Sequence, residues 1–176
     1  MAIKLDSSNI KLTAAEIDRA LGFWGLPESK KSTLQTTLTP YQKLFIKHLD
    51  DFSNYKIIAR VIFARHCALG AKVGGQITFS GFGEIIPEEC NAVREYAGLR
   101  GYCSFAVQMM RPYILAIQDR IMSDCEDPSP MGIDTVKCID TEPALGGTGE
   151  TRYRLYVIRE KVKIPRGMYR AKVKIA

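Results

Sequence analysis

Histidine is scarce in this sequence, which limits the acid–base and metal chemistry open to it. The 176 residues include two histidines, His48 and His66. His66 directly precedes Cys67, and in a helix adjacent side chains point about 100° apart, so these two cannot act together as base and nucleophile. We therefore expect no catalytic residue and no cofactor. A small cysteine-dependent enzyme built around Cys103 stays open as an alternative.

The cysteines lack the spacing of a zinc site. No two of them form the C-x₂₋₄-C pair that supplies the usual two-ligand corner, so we expect no metal. Their odd number and wide separation favour free thiols in a reducing compartment. The five cysteines are Cys67, Cys90, Cys103, Cys125 and Cys138.

Long apolar runs and targeting segments are also missing. The longest apolar stretch, residues 102–117, is interrupted by Gln108, Arg111 and Pro112 and is shorter than the roughly 20 residues that a membrane span requires. Residues 1–6 lack the basic start and long apolar run of a secretory signal. We expect an intracellular protein without a transmembrane segment, located in the cytoplasm or, if viral, in the virion.

Helix-start signals are present in the first part of the chain. Thr13 and Glu16 have the T-x-x-E spacing of a capping box, in which each side chain accepts a hydrogen bond from the other's backbone N–H. Thr39 followed by Pro40 is typical of an N-cap with proline at the first helical position. Both sites predict helices in the N-terminal region.

Two later segments are also interpreted as helices. The spacing of apolar residues after Asn54 predicts a helix running toward Gly70. Residues 102–124 form the best candidate for a central buried helix, which Pro112 is expected to kink or divide. We expect Pro87 to open a further helix between them.

The pattern becomes β-like after residue 130. One strand is predicted at 134–139, and residues 151–164 and 168–175 are predicted to form an antiparallel hairpin, with a bulge near 158–160. The sequence therefore predicts an α+β fold with a mainly helical body of about five helices and a C-terminal antiparallel β-hairpin or small sheet. We expect a single domain, 1–176, in which 1–125 is mostly helical and 131–176 is mostly β and basic.

The positive charge is concentrated at the C-terminal end. The whole chain carries +6, whereas residues 151–176 alone hold nine basic residues and one acid, a net of +8. Basic side chains on one sheet face gain affinity for a polyanion by releasing its counterions. The predicted polyanion-binding residues are Arg152, Arg154, Arg159, Lys161, Lys163, Arg166, Arg170, Lys172 and Lys174.

The chemistry of the partner stays open at this stage. Tyr153, Tyr156 and Tyr169 are expected to add base stacking if they share the basic face. RNA and an acidic membrane surface both satisfy the charge pattern, and so does the acidic body of a neighbouring copy. A solvated sheet face or a protected edge strand is the structural alternative.

The profile as a whole favours a non-enzymatic structural protein. It is typical of a basic, intracellular, RNA-binding protein that self-assembles, like a viral matrix, coat, capsid or nucleocapsid protein. We expect a homo-oligomer, with Trp24 and Phe23 as candidate self-association residues; these two equally fit an anchor of the first helix to the core. A monomeric nucleic-acid-binding regulator is the alternative within the binding class.

Overall fold

The computed structural model describes residues 10–67, 70–91, 94–96, 99–101, 103–129, 135–138 and 149–161. Within these ranges the fold is α+β, as predicted, with five α-helices and a four-stranded antiparallel sheet. Residues 10–50 belong to one compact unit and residues 51–161 to another.

The first unit is helical. It contains α1 (Ala14–Trp24), α2 (Lys31–Thr37), α3 (Pro40–Lys47) and the first half of α4 (Leu49–Phe52), with a short 3₁₀ helix, Glu28–Lys30, before α2. Both predicted caps are confirmed: Thr13 forms a capping box with Glu16, and Thr39 forms one with Gln42. Gly25 ends α1 in the left-handed conformation, which costs glycine little because it has no Cβ.

The sheet in the second unit is built from the middle and the end of the chain. Its strands are β1 (Tyr55–Arg65), β2 (Gln76–Ser80), β5 (Thr135–Lys137) and β6 (Glu150–Arg159), in the order β2-β1-β6-β5. Two further strands, β3 (Arg94–Tyr96) and β4 (Leu99–Gly101), pair with each other. The predicted strand at 134–139 is thus confirmed in its centre, whereas the predicted partner strand at 168–175 lies outside the described residues.

The helix predicted after Asn54 is wrong, because these residues form the long central strand β1. Ile57, Ala59 and Val61 are buried on one face and alternate with residues of the other face. β-Branched residues are frequent in this segment and favour a strand. Pairing with β2 on one side and β6 on the other stabilises the strand, and the spacing of apolar residues alone does not predict this pairing. The region assigned to the helical body, 1–125, therefore also contains β-structure. Pro87 likewise opens only a 3₁₀ helix, Pro87–Glu89.

The predicted bulge is found in the neighbouring strand instead. The register between β1 and β6 shifts between Val61 and Phe63, so Ile62 is the extra residue, and no shift occurs along β6 up to Arg159. A bulge reverses which face the later residues occupy. Phe63 consequently lies opposite Arg152, on the face away from the core.

The helix α5 (Ser104–Met122) covers the inner face of this sheet. Its buried stripe includes Met110, Ile114 and Ile117, and it contacts β5. Pro112 lies within α5 but does not divide it. The buried Gln118 side chain donates to the Gly81 carbonyl at 3.0 Å, which ties the helix to the end of β2.

The outer edge of β2 is closed by residues 84–91. The Ser80 N–H donates to the Glu84 carbonyl, and the Thr78 carbonyl accepts from the Ile86 N–H. Farther along, the Gln76 N–H donates to Asn91 Oδ1 at 2.6 Å. An edge strand with its polar groups satisfied in this way does not offer itself for pairing with another chain.

Candidate functional site

The sheet has an inner face toward α5 and an outer face toward solvent. The inner face is apolar: Val61, Tyr153 and Val136 lie in one row across β1, β6 and β5, each no more than 3% exposed. Because side chains alternate along a strand, the residues between them point to the other side. We call the accessible part of that other side the outer face; it comprises Arg60, Phe63, Arg65, Thr135, Lys137, Arg152, Arg154 and Tyr156.

The register arranges these side chains in rows that cross the strands. Arg60 and Arg154 are direct partners across β1 and β6, and Thr135 continues their row on β5. The next row joins Phe63, Arg152 and Lys137 in the same way. Directly opposed side chains in antiparallel strands lie about 5 Å apart at Cβ, so each row places its side chains next to one another.

Two arginines of the outer face lie over aromatic rings. The Arg60 guanidinium carbon is 5.8 Å from the centre of the Tyr156 ring, and that of Arg152 is 5.3 Å from the centre of the Phe63 ring. Both rings are more than one-third exposed, Tyr156 at 37% and Phe63 at 39%. Cations over ring faces are attracted by the ring quadrupole. The outer face therefore presents flat rings and guanidinium planes side by side to solvent.

One carboxylate, that of Glu150, partly neutralises the positive charge at the end of the outer face. Glu150, whose side chain is 10% exposed, accepts a hydrogen bond from Arg152 Nε and lies 3.6 Å from Lys137 Nζ. The hydrogen bond from Arg152 holds the pKa of Glu150 below its ordinary value. Arg60, by contrast, pairs with no carboxylate among the described residues; it donates to Gln76 Oε1 at 3.4 Å.

Lys56 is basic but lies apart from the accessible surface. Its ammonium is bound by Glu89 at 2.6 Å and Glu160 at 2.7 Å, and its side chain is 8% exposed. Burial lowers the pKa of Lys56, but the hydrogen bonds to the two carboxylates outweigh it and raise the pKa above its ordinary value. This cluster ties β1 to residues 84–91 and to the end of β6, and it uses the one acidic residue of the basic C-terminal segment.

The residues predicted to bind a polyanion fall into three groups. Arg152 and Arg154 lie on the outer face, and Arg159 and Lys161 are exposed at and just beyond the end of β6. The other five lie outside the described residues: Lys163, Arg166, Arg170, Lys172 and Lys174.

The predicted stacking tyrosines separate in the same manner. Tyr156 lies on the outer face, and Tyr169 lies outside the described residues. Tyr153 corrects the expectation, because it lies in the core row with 3% of its surface exposed. Burial there raises the pKa of its hydroxyl. Because side chains alternate along β6, Tyr153 lies on the other face of the sheet from its neighbours Arg152 and Arg154.

Phe23 and Trp24 lie at the end of α1, half-buried. The Phe23 ring packs at 5.9 Å against Phe45 of α3 and at 6.3 Å against Trp24. These contacts join α1 to α3 within the first unit and favour the anchoring interpretation. Self-association through these residues stays a prediction.

Sequence reasoning missed the contributions of β1 and β5 to the outer face. Arg60, Phe63 and Arg65 fall within the helix that the sequence predicts after Asn54, and nothing in the sequence assigns Lys137 to a basic surface. The frequency of β-branched residues is the available signal for a strand in this region, although the apolar spacing fits a helix as well. No local pattern, however, predicts which other strand lies alongside.

Further properties of the described residues bear on other classes of function. None of their helices combines the length and apolarity that a membrane crossing requires. They include no group of three or more His, Cys, Asp or Glu side chains able to hold a metal ion. Comparisons with protein-family models, with curated proteins and with solved structures gave no match.

Proposed function

We propose that this chain is a non-enzymatic assembly protein that binds a nucleic acid, RNA in the first place, through the outer face of its sheet. One observation carries the proposal: two exposed aromatic rings of β1 and β6 each lie under an arginine of the neighbouring strand, with Arg60 over Tyr156 and Arg152 over Phe63. Guanidinium groups contact phosphates, and exposed rings are stacking partners for bases. The basic C-terminal segment adds charge of the same sign.

The aromatic rings favour a nucleic acid over an acidic membrane. A membrane-surface element inserts a broad apolar face below the headgroups and keeps its cations at the rim. Here each ring lies beside an arginine on the sheet face itself, Tyr156 next to Arg60 and Phe63 next to Arg152. Such a surface matches alternating bases and phosphates better than it matches acyl chains.

The test is the binding of a labelled single-stranded RNA, measured by fluorescence anisotropy over a series of salt concentrations. Replacing Arg60 and Arg154 together with Gln is expected to weaken binding and to reduce the slope of log K against log salt by about 0.7 for each phosphate that is no longer neutralised. Arg111→Gln, which removes an exposed positive charge from α5 and not from the sheet face, is the control. An unchanged affinity and slope in the double variant would refute the proposed interface.

The C-terminal basic residues supply an independent test of the charge argument. Replacing Arg170, Lys172 and Lys174 with Ala is expected to weaken RNA binding and to lower its salt dependence. Running the same titration with acidic vesicles distinguishes the partners. If the chain binds vesicles more tightly than RNA, and in a salt-sensitive way, the partner is an acidic membrane surface and not RNA.

Self-association is the assembly half of the proposal. Phe105 and Leu115 of α5 are 54% and 55% exposed, and these are the side chains through which we propose contact with a second copy of this chain. The measurement is mass in solution against protein concentration, with and without RNA. A strict monomer under every condition would leave the monomeric nucleic-acid-binding regulator in its place.

A further inference from the structure

The centre of the outer face holds a pair of like charges. Arg60 of β1 and Arg154 of β6 are direct cross-strand partners, and both side chains are exposed. Like charges placed directly opposite in a sheet destabilise it. A phosphate that lies between the two guanidinium groups can accept charge-assisted hydrogen bonds from both and offset their mutual repulsion.

The aromatic rings lie in the rows on either side of this pair. Tyr156 is two residues after Arg154 along β6, and Phe63 lies opposite Arg152, two residues before it. Successive residues on one strand face are about 7 Å apart. The rings are therefore neighbours of the arginine pair on opposite sides, along the direction of the strands.

The Arg60 guanidinium is also held loosely enough to change partner. At 5.8 Å from the Tyr156 ring centre it is close to the outer limit of about 6 Å for a cation–π contact. Its 3.4 Å hydrogen bond to Gln76 is longer than the roughly 2.7–3.2 Å that is usual for an N–H···O bond. An arriving phosphate can take the guanidinium and leave the ring accessible.

We propose that this arrangement is a site for single-stranded nucleic acid, in which a phosphate lies between Arg60 and Arg154 and the two adjoining bases stack on Tyr156 and Phe63. The inference rests on the proposed function and narrows its ligand. A duplex keeps its bases stacked in its interior and cannot offer them to the rings. A phospholipid headgroup supplies the phosphate but no base.

The experiment compares four probes on the full-length chain: a short single-stranded RNA, the duplex of the same sequence, an abasic strand of the same length, and phosphatidylserine vesicles. The single strand is expected to bind most tightly. Tyr156→Leu and Phe63→Leu remove the rings but keep an apolar side chain; each is expected to weaken binding of the single strand by about 5-fold to 100-fold and to leave binding of the abasic strand unchanged.

The arginine variants distinguish the single-strand site from the more general proposal that the outer face binds a polyanion. Arg60→Gln and Arg154→Gln are each expected to weaken binding of the single strand and of the abasic strand alike. The effect of the double variant is expected to be smaller than the sum of the single effects, because both residues bind the same phosphate. If these variants weaken binding but the ring variants do not, the polyanion surface stands and the single-strand site is refuted. If the leucine variants fail to fold, equal affinity of the unmodified chain for the abasic strand and the RNA refutes it instead.

Discussion

The buried Lys56 cluster yields the sharpest stability prediction. Its ammonium is enclosed, with 8% of the side chain exposed, whereas its partners Glu89 and Glu160 are 38% and 56% exposed. The two sides of the cluster therefore respond differently to substitution. Removing the carboxylates strands a charge in the interior, but removing the ammonium leaves carboxylates that water reaches.

The magnitudes follow from this asymmetry. Replacing Glu89 and Glu160 together with Gln is expected to lower the free energy of unfolding by about 3 kcal/mol, since an unpaired buried charge costs about 3–5 kcal/mol. Each single replacement leaves one carboxylate in place and is expected to cost about 1 kcal/mol. Lys56→Met, which also removes the desolvation penalty, is expected to change stability by less than about 1 kcal/mol.

Thermal and urea unfolding of these variants measure the differences, with a fall in Tm of about 10 °C expected for the double variant. Glu88→Gln is the matched control, because Glu88 is the exposed neighbour of Glu89 in the same 3₁₀ helix. Two outcomes would show that burial of the ammonium does not govern the stability of this cluster. In the first, Lys56→Met lowers the free energy of unfolding more than the double glutamine variant does. In the second, the double variant costs no more than the small sum of the two single effects.

Two glycines and two charged groups of the described chain carry the remaining predictions. Gly149 has φ +150°, and a Cβ there would clash with two backbone carbonyl oxygens; Gly149→Ala is therefore expected to lower the unfolding free energy by more than about 2 kcal/mol in urea. Gly22→Ala in α1, with nothing within 4 Å of the new methyl group, is expected to raise it by about 0.5–1 kcal/mol. The pKa of Glu150 is lowered from 4.5 by Arg152, so its stabilising contribution is present above that value and is lost as the pH falls through the folded-state pKa; Glu150→Gln should flatten the acid limb of the stability profile. The pKa of Lys56 is raised from 10.5, so its contribution is present below that value and is lost as the pH rises through the folded-state pKa; an alkaline limb unchanged by Lys56→Met would contradict this.

The elements that were predictable are those governed by neighbouring residues. The capping boxes at Thr13 and Thr39 need only a side chain three positions away, and both are present. The outward position of Arg152 and Arg154 follows from the two-residue alternation of β6, which the sequence displays. The strand β1 was not predictable in this way, because its apolar spacing also fits a helix and only pairing on both sides decides between the two.

The candidate site also has a part that local sequence predicts and a part that depends on strand pairing. Composition and alternation predict a basic, tyrosine-containing strand at 151–164, and the first part of that range lies in β6 (Glu150–Arg159). That Arg60 lies opposite Arg154, and Phe63 opposite Arg152, depends on a register set by a bulge at Ile62. A shift by one residue would have turned these side chains into the core.

By itself, the sequence determined the α+β class, the helix starts and the concentration of positive charge toward the C-terminus, since each depends on local spacing or on composition. Only the tertiary structure decided which strands adjoin β6, that Tyr153 is buried while Tyr156 is exposed, and that Lys56 meets Glu160 across more than a hundred residues. The physical reason is that cross-strand pairing and burial are set by contacts between distant segments. The described part of the basic C-terminal segment, in β6, is therefore one part of a sheet face to which β1, from the first half of the chain, contributes two arginines and an aromatic ring.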